Sequence, residues 1–139
     1  RVKGDTMNAE ELEIARRLAA CKGWVWLPGM IACDVSRPTT WRRRLLSQGK
    51  VFGWKFDAID GPVPRGPWRN LDGWVPDLSD NLTRLGVLAV VRRAWGQDDL
   101  AARRDGSGTW AVIPENSEWW SGCRDSELEA LTRALEAAP

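Results

Sequence analysis

The fold is decided by residues 74–96, WVPDLSDNLTRLGVLAVVRRAWG, which carry a start signal, an apolar stripe and a stop signal for one helix. Asp80 is a natural N-cap, because its carboxylate can accept hydrogen bonds from the free backbone N–H groups of the first turn. Gly96 is typical of the position just past a helix end. Apolar side chains recur between them at helical spacing and are predicted to face a core: Leu82, Leu85, Leu88 or Ala89, Val91 and Trp95.

Two further helices are predicted at the ends of the chain. Asn8 and Glu11 form a capping-box variant that starts a helix reaching about Cys21. Ser126 and Glu129 form a second capping box, from which the last helix runs to about Ala137. The 139 residues, 43% of them hydrophobic, favour one domain with a substantial core. We expect residues 1–7 to be a tail or a cloning remnant, and residues 8–139 to form the domain.

Short strands are predicted between the helices. Residues 24–26 and 30–33 flank a Pro-Gly turn, and KVFGWKF, residues 50–56, alternates as a strand does. Residues 41–47 fit either a strand or a helical turn, and residues 57–70 are predicted to be a long loop. Segments 100–104 and 109–113 flank a glycine-rich turn and form a hairpin. The expected fold class is α+β, with an antiparallel sheet of about five short strands and three helices packed mainly on one face.

Composition excludes several kinds of chemistry. The chain has no His, which rules out His-based triads, His-ligated zinc and histidine general bases. G-x-S-x-G, G-x-G-x-x-G and P-loop motifs are absent as well. Its three cysteines, Cys21, Cys33 and Cys123, are widely spaced, which is typical of reduced intracellular thiols buried as small core residues. We therefore expect no cofactor, no metal site and no catalytic residue, and an enzyme is the least favoured class.

Charge is unevenly distributed along the chain. Residues 35–71 hold eight basic residues against two acids, whereas residues 97–139 hold four against nine. Arginine and lysine can neutralise phosphates, and exposed Trp rings can stack on unpaired bases. The sequence thus suggests a nucleic-acid or partner-binding surface within residues 37–69, formed by Arg42, Arg43, Arg44, Lys55, Arg65, Trp68 and Arg69. Two alternatives stay open, in which the arginines form a solvated rim around buried Trp residues or pair with the acidic C-terminal part.

Two smaller features complete the candidate sites. Trp119 and Trp120 are adjacent and point in different directions, so either one is an exposed interface anchor or both are packed on the body. Two carboxylate pairs lie in predicted loops beside Trp residues, where paired acids can share general acid and base roles, although exposed loop acids are common. These pairs are Asp57 with Asp60 and Glu115 with Glu118.

Three segments together resemble a group of small bacteriophage and prophage proteins of unknown function. They are AEELEIARRLAACKGWVWLPGM, VPDLSDNLTRLGVLAVVRRAWG and ELEALTRALEAAP, and they cover about half of the chain but not residues 35–71. The shared features are a W-x-W-x-P-G-M stretch, a P-D-L-x-D helix cap, a helix ending A-W-G and an Ala-rich closing helix. The resemblance implies a mobile-element origin and carries over no activity and no site residue.

The function expected from the sequence is that of a non-catalytic, cytoplasmic interaction protein in a bacterial host. Such a protein acts through a protein partner or by self-association as a dimer, and a modulator of a host system fits the implied origin. The alternative is a nucleic-acid-binding module that uses the basic segment 37–69. A membrane partner is not expected, because no apolar run approaches the length of a membrane span.

Overall fold

The computed structural model describes residues 7–34, 41–49, 53–60, 71, 73–104, 106–114 and 126–139. Within them, three helices and two antiparallel sheets confirm the α+β class. The strands differ from the expected single sheet of about five, since four form one sheet in the order β3-β2-β1-β4 and two form a separate hairpin. The elements are α1 (Ala9–Ala20), β1 (Ile31–Asp34), β2 (Trp41–Gly49), β3 (Gly53–Asp60), β4 (Trp74–Pro76), α2 (Asn81–Trp95), β5 (Leu100–Arg104), β6 (Trp110–Pro114) and α3 (Glu127–Glu136).

The four-stranded sheet separates two hydrophobic cores, because successive side chains of a strand point to opposite faces. On one face Cys33 and Val75 pack with the three helices and with Leu100 of the hairpin. On the other face a smaller cluster forms around Leu45 and Trp54, with partly buried rings beside it. The helices therefore cover one face, as the sequence predicted.

Helix caps were well predicted. Asn8 and Glu11 form the expected capping box of α1, with the Asn8 side chain accepting from the Glu11 backbone N–H at 2.8 Å. The second predicted capping box is only half formed: Ser126 caps α3 through the Glu129 backbone N–H, but the Glu129 carboxylate pairs with Arg17 and Arg133. Gly96 ends α2 with φ of 61°, a left-handed conformation that glycine adopts without strain. None of the helices in the described ranges is long and apolar enough to cross a membrane.

The predicted inward stripe of α2 was right at Val91, which is buried, and at Leu88, which packs against the core, but it was wrong at Leu82 and Leu85. Leu82 and Leu85 are 59% and 73% exposed, and the face turned to the core carries Thr83, Val87, Val90 and Val91. Two contacts orient the helix this way. Thr83 Oγ1 accepts a 2.8 Å hydrogen bond from the Ile31 backbone N–H. On the same side Met30 approaches Gly86 so closely that a Cβ there would lie 2.7 Å from the Met30 Cε atom.

Several strand predictions need correction. Residues 24–26 are not a strand; Trp24 and Trp26 pack edge to face, with ring centroids 5.4 Å apart. Residues 41–47 belong to the long strand β2, and β3 continues to Asp60, four residues into the predicted loop. Short β4 was not predicted. It pairs with β1 through Trp74, Val75 and Pro76.

Candidate interaction surface

The arginine run of β2 is divided between the two faces of the sheet. Cys33 lies opposite Arg42, and Ile31 lies opposite Arg44, in the antiparallel register of β1 and β2. Residues directly opposite each other share a face, so Arg42 and Arg44 point to the helical side. Arg43, between them, points to the aromatic side.

On the helical side Arg42 is buried and paired. Its Nη1 atom donates to Asp77 Oδ2 at 3.1 Å, and Arg42 and Asp77 are 8% and 1% exposed. The other oxygen of Asp77 accepts from the backbone N–H and hydroxyl of Ser79, in the turn that leads into α2. The pair therefore fastens the central strand to the start of α2.

Arg44 makes a second link to the same helix. Its guanidinium donates to Asp80 Oδ1 at 3.2 Å and to the Gly29 carbonyl at 2.8 Å. Burial alone raises the pKa of Asp80, but hydrogen bonds from the Thr83 hydroxyl and backbone N–H, together with Arg44, hold that pKa below its ordinary value. The N-cap of α2 is thus kept ionised by its own helix and by the sheet.

On the other face Arg43 is enclosed by aromatic rings. Its Cζ atom lies 5.6, 5.7 and 5.9 Å from the ring centroids of Trp41, Phe56 and Trp74. These distances are within the range of cation–π attraction, which strengthens when the cation is desolvated. Arg43 is only 3% exposed, so this guanidinium is part of the second core.

These positions change the interpretation of the basic segment. Arg42 and Arg43 do not form an exposed basic surface, and they do not form a solvated rim either. The acidic partners of Arg42 and Arg44 lie in the turn before α2. Acids of the C-terminal part pair elsewhere, since Arg17 of α1 contacts Glu129 and Glu136 of α3 at 2.8 and 2.7 Å. The pairing of the basic middle with the acidic C-terminal part is therefore not seen among the described residues.

The remaining predicted binding residues are only partly placed. Lys55 is exposed on β3, at one edge of the sheet. Five others lie outside the described residues: Arg65, Trp68, Arg69, Trp119 and Trp120. Nucleic-acid binding through Lys55 and the segment beyond it stays a prediction.

The carboxylate and thiol candidates form no site in the described part of the chain. Asp57 is exposed on β3, which continues through Asp60, while Glu115 and Glu118 lie outside the described residues. Burial raises the pKa of the Cys21 thiol, which lowers its thiolate fraction. Cys33 is buried, Cys123 is outside the described residues, and no group of three or more potential metal ligands occurs where the structure is described.

The most exposed apolar surface of the described residues lies on α2. Leu85 is 73% exposed and Leu82 59%, and Ala89 continues the same stripe one turn further along. Trp95 is 39% exposed at the far end, where its indole N–H donates to the Ala134 carbonyl of α3 at 2.8 Å. We call the stripe formed by Leu82, Leu85 and Ala89 the α2 surface.

A groove adjoins the α2 surface where α2 and α3 run side by side. It is half-open to solvent and has a volume of about 260 Å³, and its apolar walls are Leu85 together with the buried Leu128 and Leu131. Asn81, Arg84 and Glu127 complete its lining. Arg84 is neutralised by Glu11 of α1, with 3.2 Å between Nη1 and Oε2. The groove has room for a side chain from another molecule.

The charged residues of α2 are all basic. Residues 81–95 contain three arginines and no acidic residue. Arg92 is half-buried and donates through Nε to the Leu100 carbonyl at 2.7 Å. Arg93 is exposed, and its guanidinium makes no hydrogen bond or ion pair within the described residues. An apolar surface is thus presented to solvent, with exposed Arg93 near its end and exposed Asp98 and Asp99 just beyond α2. The sequence did not indicate this surface, because the helical spacing favoured these leucines as core residues.

Comparisons with protein families, with characterised proteins and with solved structures found no match for this chain.

Proposed function

We propose that this chain is a non-catalytic protein of a phage or similar mobile element that binds another protein and thereby modulates a host system. The α2 surface and its adjoining groove are the contact site. The mobile-element origin and a location in the host cytoplasm rest on the sequence resemblance and on the widely spaced cysteines. The partner is a protein of the host or of the element, or a second copy of this chain.

The observation that carries the proposal is the exposure of Leu82 and Leu85. Both belong to a helix that is capped at each end and packed along its opposite face, so their exposure does not reflect a poorly formed element. Adjacent exposed leucines beside an apolar groove are typical of a protein contact site. Arg93 and Glu127 provide charges at its border, as the polar rim of an interface does.

Nucleic-acid binding is less well supported by the same structure. Phosphate contacts require accessible cations, and Arg42 and Arg43 are 8% and 3% exposed. Arg44 is engaged with Asp80. The acidic Glu127 at the groove also disfavours phosphate.

The test is site-specific photo-crosslinking in cells of the bacterium that carries the gene. Leu85 is replaced by a benzophenone amino acid in one variant, and Ile59, an exposed apolar residue of β3, is replaced in a matched control. We expect a discrete protein adduct from position 85 that mass spectrometry identifies, and no such adduct from position 59. A variant with the probe at Lys55 tests the alternative.

Three results count against the proposal. The first is that positions 85 and 59 give the same broad set of crosslinked proteins without a discrete product, as random collisions would. The second is an adduct from position 85 that nuclease removes. The third is a nucleic-acid adduct from position 55 without any protein adduct from position 85, which favours the nucleic-acid alternative.

A further inference from the structure

The groove beside the α2 surface is suited to a basic side chain. Its leucine walls are complementary to the aliphatic stem of an arginine or lysine. The carboxylate of Glu127 lies at its border, is exposed, and makes no ion pair within the described residues. Arg84, the cation that also lines the groove, is already neutralised by Glu11. The net charge at the groove is therefore negative.

The chain itself supplies such a side chain on α2. Arg93 is exposed and has no ion pair in the described part of the protein. It follows Ala89 by four residues, and Leu85 precedes Ala89 by four. Residues four apart lie in one row along a helix, so Arg93 and Leu85 are each about 6 Å from Ala89 at ~1.5 Å per residue. A wall of the groove and an exposed cation are thus equally distant from Ala89, on opposite sides of it.

Resting on the proposed function, we infer that the occupant of the α2 surface is a second copy of this chain, packed antiparallel about a two-fold axis at Ala89. The symmetry places Arg93 of each copy over Leu85 and the groove of the other, where its guanidinium meets the Glu127 carboxylate. Two equivalent ion pairs form, one on each side of the axis, as in any isologous interface. A parallel pairing would instead bring the arginines of the two copies together.

The surface of α2 agrees with this arrangement. Helices whose rows of residues four apart interdigitate cross at about 50°, the commonest packing class in globular proteins. Ala89, at the crossing point, is small and lets the two helices approach closely. The helix ends at Gly96, so the exposed Asp98 and Asp99 that follow it lie outside the paired row. The row through Ala89 therefore joins the two copies by apolar contact and by charge.

The experiment measures self-association of the purified full chain by sedimentation over the micromolar range. Three variants test the ion pair, namely Arg93→Glu, Glu127→Arg and the two combined. Exchanging the charges restores the attraction only if the two residues face each other across the interface. Arg16→Glu, at an exposed position of α1, is the matched control. A variant with Asp98→Asn and Asp99→Asn tests the acids that follow α2, and circular dichroism verifies the fold of every variant.

We expect the wild-type chain to form a dimer. Each single charge reversal should raise its dissociation constant by about tenfold, and the combined exchange should return it to within about threefold of the wild-type value. Leu85→Gln should weaken the dimer by about tenfold, as loss of a central apolar contact does. The control at Arg16 and the variant of the two aspartates should leave the dissociation constant unchanged.

Three results overturn the inference. They are a wild-type chain that stays monomeric at millimolar concentration, a dimer that the single reversals leave intact, and a combined exchange that is no tighter than either reversal alone. Binding to anionic vesicles that Leu85→Gln abolishes would also overturn it, because a membrane would then be the occupant. A monomeric chain that still gives a discrete adduct with a different protein from position 85 would leave the proposed contact site standing. Absence of any protein adduct from position 85 would instead remove the proposed function itself.

Discussion

The Arg42 guanidinium donates a 3.1 Å hydrogen bond to the Asp77 carboxylate, and the side chains of both residues are at least nine-tenths buried. The pair joins β2 to the turn that begins α2. This part of the basic run therefore stabilises the fold and does not form a binding surface. The orientation of α2, and with it the exposed leucines, depends on such links between the sheet and the helix.

Breaking this pair should destabilise the fold strongly. Arg42→Met leaves the Asp77 carboxylate buried without its cation, a change that costs about 3–5 kcal/mol in comparable buried pairs. The double variant Arg42→Met with Asp77→Asn should recover part of this loss, because the remaining amide is uncharged. Urea unfolding followed by Trp fluorescence measures both changes. A single variant as stable as the wild type would contradict the buried ion pair.

Arg43 should not be replaceable by lysine. The flat guanidinium interacts with three rings at once, whereas an ammonium group is compact and more strongly hydrated. We expect Arg43→Lys to lower the free energy of unfolding by about 1–2 kcal/mol and to change the Trp emission. Arg16→Lys, at an exposed position of α1, should change the free energy of unfolding by less than about 0.5 kcal/mol. Equal effects of the two substitutions would show that the rings do not hold Arg43.

Stability should fall in acid partly through Asp80. Its pKa is lower in the folded protein than its ordinary value, which is about 3.9 in an unfolded chain. The stabilisation is therefore fully present above about pH 5 and is lost as the pH falls through the folded pKa. Asp80→Asn keeps a helix-capping acceptor but removes the charge that Arg44 contacts. This variant should be less stable by about 1 kcal/mol at pH 7 and should lose less stability between pH 5 and 2, as measured by urea unfolding. Parallel pH curves for both proteins would refute this role of Asp80.

Truncation of two leucines should change stability by very different amounts. Leu135→Ala removes a side chain that is 2% exposed and should cost about 2–5 kcal/mol. Leu85→Ala removes one that is 73% exposed and should change stability by less than about 0.5 kcal/mol. Thermal unfolding of the two variants decides the orientation of α2. A large loss at Leu85 would mean that this residue is buried, as the sequence suggested.

The local signals of the sequence were sufficient for the helices. The capping box at Asn8, the N-cap at Ser126 and the stop at Gly96 depend on neighbouring residues along the chain, so they can be predicted without tertiary contacts. The hairpin of β5 and β6 was predicted for the same reason. The fold class followed from the order of these elements.

Local signals could not predict which face of α2 is buried. Thr83, Val87, Val90, Val91 and Ala94 have helical spacing as regular as that of the leucines. The choice between the two stripes depends on distant residues, because Ile31 and Met30 contact only the side that carries Thr83 and Gly86. The sequence favours the leucines as core residues because they recur at helical spacing after the cap at Asp80.

The burial of the arginine run could not be predicted from the sequence either. Three consecutive basic residues indicate a binding surface only if the element that carries them is exposed. Once residues 41–49 form a central strand, alternation sends Arg42 and Arg44 to one face and Arg43 to the other. Asp77 and Asp80 come from the turn before α2, and the rings of Phe56 and Trp74 come from β3 and β4. Sequence spacing alone does not bring these groups to the arginines; of the three rings, Trp41 is the one on β2 itself.

The most direct test of the central claim is the native mass of the protein in extracts of the bacterium that carries the gene. The claim is that the α2 surface holds the chain to another protein. Wild-type protein should then elute in a complex larger than the 15.6 kDa chain, and nuclease treatment should leave the complex intact. The double variant Leu82→Gln with Leu85→Gln should elute at the mass of the free chain. Free elution of the wild type, or a complex that nuclease dissolves and the double variant retains, would contradict the account.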